Sequence, residues 1–218
     1  MNRRRLLMNG GFPKEPSEYE LLQKYTAAGT FTAPETGWFQ IEVFGASGNG
    51  GKGTGYGLPA SIVYLGGGGG GGGGYACSQV KLKKGNTIEF VCGAVGAESY
   101  AVINSSKEKY ERISVTSGKN GNNATHYNGD EPGTGGGGGV ASGGNISNAN
   151  GYRGGTGGSA VEPDDITIPS YGDASGGAGG KAGHTGGNAG GKGAHGASQN
   201  NYGSGKAGFI KIYRGNKN

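Results

Sequence analysis

Glycine spacing constrains this chain more than any other feature. Gly177, Gly180, Gly183 and Gly186 keep a strict period of three. Gly187, Gly190, Gly193 and Gly196 keep it again, shifted by one residue, and Gly151, Gly154 and Gly157 form a third short register. Glycine supplies 55 of the 218 residues and loses more conformational freedom on ordering than any other residue. Such a chain either stays disordered or recovers that entropy through a repetitive hydrogen-bonded lattice. A period of three belongs to the left-handed polyproline-II-type helix, which rises ~3.1 Å per residue and makes no internal hydrogen bonds. Its N–H and C=O groups point outward and need partners on neighbouring segments. One long collagen rod would hold a single register and be rich in proline. Here the registers break, and only 7 prolines are present. The spacing therefore predicts several short helices packed side by side over residues 134–205, in preference to a flexible linker.

Strand patterns flank and interrupt the glycine. Tyr19, Leu21 and Tyr25 alternate with polar positions, and Phe39, Ile41 and Val43 share one face opposite Gln40 and Glu42. Short apolar runs follow at 61–65, 75–82, 87–92, 110–117 and 207–213, and no amphipathic helix is apparent. Nine consecutive glycines, Gly66 to Gly74, separate the runs at 61–65 and 75–82. The two runs at 75–82 and 87–92, joined around Lys84-Gly85-Asn86, read as a hairpin pairing Val80 with Phe90 and Leu82 with Ile88. That register sets Ser78 opposite Cys92 and turns Cys77 to the other face, so two free thiols are expected. The predicted fold is mainly β: an antiparallel, jelly-roll-like β-sandwich with glycine-rich insertions packed as a polyglycine-II helix bundle. Residues 17–218 form this domain. Residues 1–16 form an N-terminal arm whose Arg3, Arg4, Arg5, Leu6 and Leu7 read as an anchor to another protein.

Catalytic and metal-binding patterns are weak. GxGxxG matches carry no information in so much glycine, and Gly51-Lys52 lacks the remainder of a phosphate loop. His126, His184 and His195 are scattered, the two cysteines lack zinc spacing, and Asp164-Asp165 reads as an exposed turn. No cofactor, no metal and no enzymatic activity are expected. Arg3 to Arg5 account for part of the net charge of +5, which argues against nucleic acid as the partner. No stretch is apolar and long enough to insert in a membrane. Any recognition surface is expected where the glycine pattern breaks, at 145–153, 162–173 and 198–202. These stretches hold Tyr152, Arg153, Asp164, Asp165, Tyr171, Asn200 and Tyr202. Tyrosine and asparagine on a rigid frame give stacking and adaptable hydrogen bonding at low entropic cost.

Three segments carry a resemblance. GTFTAPETGWFQIEVFGASGNGG resembles the opening of the glycine-rich domains of bacteriophage tail-fibre and related virion proteins. GGGGGYACSQVKLKKGNTIEFVCGAVG is similar to their central hairpin, and GSGKAGFIKIYRG to their closing strand. The resemblance spans roughly residues 18–214 and implies a non-enzymatic virion structural protein, assembled in a host cytoplasm. It implies a tail or head fibre or a tip adhesin contributing to host-surface attachment. Implied partners are other virion proteins through the arm, a host surface glycan or protein, and further copies of the chain in a trimer. Two readings from other classes, a glycine-rich RNA-binding protein and an ice-binding polyglycine protein, lack the repeated RGG motifs and patterned threonines that each needs.

Overall fold

A computed structural model describes residues 15–58, 61–104, 111–126, 129–163, 176–194 and 200–216. Among them the regular structure is all β. The strands are β1 (Tyr19–Tyr25), β2 (Gly29–Thr32), β3 (Gly37–Phe44), β4 (Thr54–Leu58), β5 (Ser61–Leu65), β6 (Tyr75–Leu82) and β7 (Thr87–Val91). They continue with β8 (Ser99–Asn104), β9 (Glu111–Val115), β10 (Ala141–Ser142), β11 (Ser147–Ala149), β12 (Ser159–Pro163) and β13 (Phe209–Gly215). Two five-stranded antiparallel sheets, ordered β1-β13-β3-β6-β11 and β10-β9-β8-β7-β2, face each other as a sandwich. A three-stranded sheet, β12-β5-β4, stands apart.

Alternation explains the sandwich. Phe39, Ile41 and Val43 of β3 point inward with Ile210 and Ile212 of β13, and all are buried. They meet Ile88 and Phe90 of β7, Ala101 and Ile103 of β8, and Ile113 and Val115 of β9 from the second sheet. The alternation over 75–82 and 87–92 is present, but the hairpin is not. β6 pairs with β3 and β11, whereas β7 pairs with β2 and β8. The turn at Lys83–Asn86 instead carries the chain from one sheet to the other. Gly85 takes φ +86 there, and Gly85 and Asn86 bond to Ala33. Val80, Leu82, Ile88 and Phe90 do share a core, but they reach it from opposite sheets. A period of two reports which face a residue occupies, not which strand lies beside it. Cys77 and Cys92 are free; Cys77 lies in β6 of the first sheet, and Cys92 directly follows β7 of the second.

Beyond the sandwich, the chain forms a hexagonal array around Gly66–Gly74. The N–H groups of Gly66, Gly69 and Gly72 donate to the carbonyls of Gly158, Gly155 and Tyr152. Those of Gly67, Gly70 and Gly73 donate to Ala194, Gly191 and Asn188, and those of Gly68 and Gly71 to Asn122 and Lys119. The carbonyls of the same run accept from three further segments: from Gly45, Gly48 and Gly51; from Gly133, Gly136 and Gly139; and from Gly177, Gly180 and Gly183. Every partner recurs at the third residue, the periodicity of a helix with three residues per turn. The outer segments also bond to one another and close a ring. Its order is 45–52, 118–124, 133–139, 151–158, 177–183, 188–194 and back to 45–52. An eighth segment, 203–206, lies outside the seam between 45–52 and 188–194.

Sandwich and array are continuous. β3 runs into 45–52, β9 into 118–124 and β11 into 151–158, while 66–74 leads into β6, 133–139 into β10 and 203–206 into β13. The Gly74 end therefore abuts the sandwich, and the Gly66 end abuts β5. At about 3.1 Å per residue the axial run spans roughly 25 Å. Pro16 packs on Gly215, and the N–H of Asn216 donates to the carbonyl of Glu18, so residues 16–18 and 215–216 lie together at the pole of the sandwich away from the array. The anchor residues Arg3 to Leu7 lie outside the described residues.

Candidate functional site

Three surfaces of this frame carry chemistry. The first is a lateral groove of about 460 Å³ between segments 151–158 and 177–183. It is lined by Tyr152, Arg153 and Lys181 over a floor that includes Ala178, Gly179 and Ala182. The N–H of Tyr152 donates to the Lys181 carbonyl at 2.9 Å, which sets the two residues side by side. The Tyr152 side chain is 62% exposed. Arg153 Nε donates to the Gly135 carbonyl at 3.0 Å, so the guanidinium is held against the array while its two terminal amino groups lie outside that bond.

The second surface is the outer face of the first sheet, where sandwich meets array. Glu42, only 8% exposed, accepts hydrogen bonds from Tyr75 Oη at 3.0 Å, Tyr213 Oη at 2.7 Å and Gln40 Nε2 at 3.3 Å. Three donors satisfy the buried carboxylate. His184, in the turn between segments 177–183 and 188–194, stacks on Tyr75 with ring centres 4.1 Å apart. Phe44 stacks on Phe209 at 4.3 Å, and Lys24 Nζ lies 4.2 Å above the Phe209 ring. Burial, foremost, pushes the Cys77 thiol up to about 11 and holds the Tyr75 and Tyr213 hydroxyls well above their usual range. This cluster joins the two halves of the molecule.

The third surface is the end away from the sandwich. Tyr56 stacks on His126, with ring centres 4.9 Å apart, and donates its hydroxyl to the Asp130 carboxylate. That hydrogen bond, first, raises the Tyr56 hydroxyl above its ordinary value. Val63, Leu65 and Ala124 form a small apolar cluster beneath.

The residues expected from sequence are divided among these surfaces. Tyr152 and Arg153 share the lateral groove. Asn200 and Tyr202 are exposed beside segment 203–206, which lies two segments further round the ring. The array does not bring the two pairs together. Asp164, Asp165, Tyr171 and His195 lie outside the described residues. Lys181 and the Tyr56–His126–Asp130 group carried no signal of their own, because a lone lysine and three separated polar residues look like solvated turn positions. The extent of the array was legible in principle: Gly45-Gly48-Gly51, Gly118-Gly121 and Gly133-Gly136-Gly139 keep the same spacing outside the 134–205 window or at its edge. No protein-family model matches this chain, and no curated protein matches it with significance.

Proposed function

We propose that this chain is a non-enzymatic virion structural protein of a bacteriophage, a fibre or tip adhesin, whose array is a polyglycine-II-type bundle acting as a rigid spacer. The observation that carries the reading is the closed ring of six segments around Gly66–Gly74, each bonded at every third residue. A spacer of this kind needs no prosthetic group and no long sequence repeat. It holds the three-stranded sheet of β4, β5 and β12 about 25 Å from the sandwich at ~3.1 Å per residue. Residues 16–18 and 215–216 lie together at the opposite pole, which suits attachment at one pole and recognition at the other. Residues 1–16 then dock on other virion proteins, with assembly as a homotrimer in the host cytoplasm, and a host surface glycan or protein is the target. Antibody to this chain, applied to purified native particles under negative stain, tests the proposal. Label on a projecting fibre, lost when residues 1–16 are deleted, is the expected result. A chain that stays soluble while particles assemble unlabelled contradicts it.

A further inference from the structure

The charge of this molecule is unevenly placed. The array segments 45–52, 118–124, 133–139, 151–158, 177–183, 188–194 and 203–206 contain Lys52, Lys119, Arg153, Lys181, Lys192 and Lys206 and no aspartate or glutamate. All six cations are exposed. The whole chain carries a net charge of +5, so the rest of it is close to neutral. The lattice does not impose this segregation. Its central positions demand glycine, but its outward positions accept any side chain, and Asn, Thr, Tyr and Ala all occupy them. An acidic residue beside each lysine would relieve the repulsion at no steric cost. Its systematic absence leaves a cationic cylinder whose field favours an anionic partner along the side of the rod.

One place on the cylinder adds shape to charge. Among the array segments, Tyr152 is the single aromatic residue. It stands 62% exposed between Arg153 and Lys181 in the groove of about 460 Å³, within the size range of small-ligand sites, about 300–1,000 Å³. The floor of alanine and glycine carries no side chain larger than a methyl group, which leaves room for a ring-shaped unit. A tyrosine face packs against the C–H face of a sugar. The arginine fork matches a carboxylate or phosphate, and the lysine supplies a second positive charge. Single-stranded nucleic acid needs successive aromatic platforms for successive bases, and this rod offers one. We infer that the lateral groove binds an acidic polysaccharide, with Tyr152 stacking on a sugar ring and Arg153 and Lys181 holding its carboxylate or phosphate groups. This rests on the attachment reading above and names the ligand class, but the binding itself is independent of any particle.

The test uses the full chain and defined polymers. Isothermal titration with polygalacturonate and with poly(glycerol phosphate) separates carboxylate from phosphodiester recognition, with dextran and oligouridylate as comparators. Binding to one or both acidic glycans, none to dextran, and weaker binding to oligouridylate are expected. Affinity should fall roughly tenfold or more in Arg153→Gln/Lys181→Gln, as loss of a charge-assisted bond implies. Tyr152→Ala should lower it while leaving the salt dependence unchanged, because stacking carries no counterion release. Lys83→Gln, in the exposed turn between β6 and β7 and outside the array, should change affinity less than twofold. The inference is overturned by dextran binding as well as the acidic polymers, by oligouridylate binding more tightly than they do, or by acidic-glycan affinity indifferent to the groove variants. Absence of glycan binding by a chain that still labels virions would sink this inference and leave the virion reading standing.

Discussion

At the scale of single residues, the axial glycines and an outward-facing glycine are different objects. A Cβ built on Gly70 meets the carbonyl oxygens of Gly48 and Asn49 at 2.2 and 2.5 Å, and one on Gly71 meets the Gly137 oxygen at 1.9 Å. These neighbours are backbone and have nowhere to move. Gly137 itself faces outward, and its nearest neighbour is the flexible Lys119 side chain at 4.0 Å. Gly70→Ala should cost more than about 4 kcal/mol or abolish folding. Gly137→Ala should be neutral or add about 0.4–1 kcal/mol by restricting the unfolded chain. Urea unfolding of the two variants checks this, and equal effects would refute the close-packed axis. Asparagine plays a complementary part where an outer segment lacks a neighbour. Asn120, Asn123 and Asn49 accept from the N–H groups of Asn49, Lys52 and Gly205, and Asn188 donates to the Gly45 and Ala207 carbonyls. The buried cluster at Glu42 gives the molecule a pH dependence. Folding raises the Cys77, Tyr75 and Tyr213 values, so the folded state keeps protons that the unfolded chain releases. Their contribution is intact below the ordinary thiol value of 9.0 and is lost as pH rises through about 11 and beyond. The urea midpoint should decline from about pH 9 upward, and Cys77→Ala/Tyr213→Phe should flatten that decline. A midpoint level to the highest pH, or an unaltered slope in the variant, counts against it.

Among the elements, sandwich and array depend on each other. A lattice hydrogen bond contributes a net of about 0.5–1.5 kcal/mol, and fixing the backbone of one residue costs about 1–2 kcal/mol. The two nearly cancel, so seven short glycine-rich segments have little stability alone. Their ends are fixed because β3, β9, β11 and β13 continue directly into them. Ile41→Ala, in the middle of the core, should cost about 2–5 kcal/mol and lower amide protection in Gly66–Gly74 together with that of β3. Loss confined to β3 would show two independent units. The same continuity explains what sequence could and could not reveal. Inward-facing residues of β3 and β13 were legible because alternation reports a face. The pairing of 75–82 was not, since Val80 and Phe90 obey the same alternation whether they are neighbours in one sheet or opposed across a core. Three registers, at 151–157, 177–186 and 187–196, were legible from glycine spacing; Gly151, Gly154, Gly157, Gly177, Gly180, Gly183, Gly190 and Gly193 prove to face Gly66–Gly74, whereas Gly187 bonds to His184 in a turn and Gly196 lies outside the described residues. Gly186 continued the spacing by coincidence: it takes φ +80 in the turn that carries His184. The nine-glycine run hides its own role, because uniform glycine has no phase. The groove at Tyr152 was half visible as an interruption, while Lys181 arrives only through the lateral bond to Tyr152.

For the molecule as a whole, one design recurs: a β-sandwich that fixes the ends of bare backbone, and bare backbone that sets a distance. Side chains then become free to serve the surface, which is why the cations of the array can all point outward. Everything rests on Gly66–Gly74 being buried backbone, with each of its N–H groups from Gly66 to Gly73 donating to a neighbouring segment at 2.8–2.9 Å. Native-state hydrogen exchange followed by NMR measures this residue by residue. The account predicts that these glycine amides exchange as slowly as those of Ile41 and Ile212 in the core; exchange at the rate of an unstructured glycine tract, with the core still protected, would contradict it.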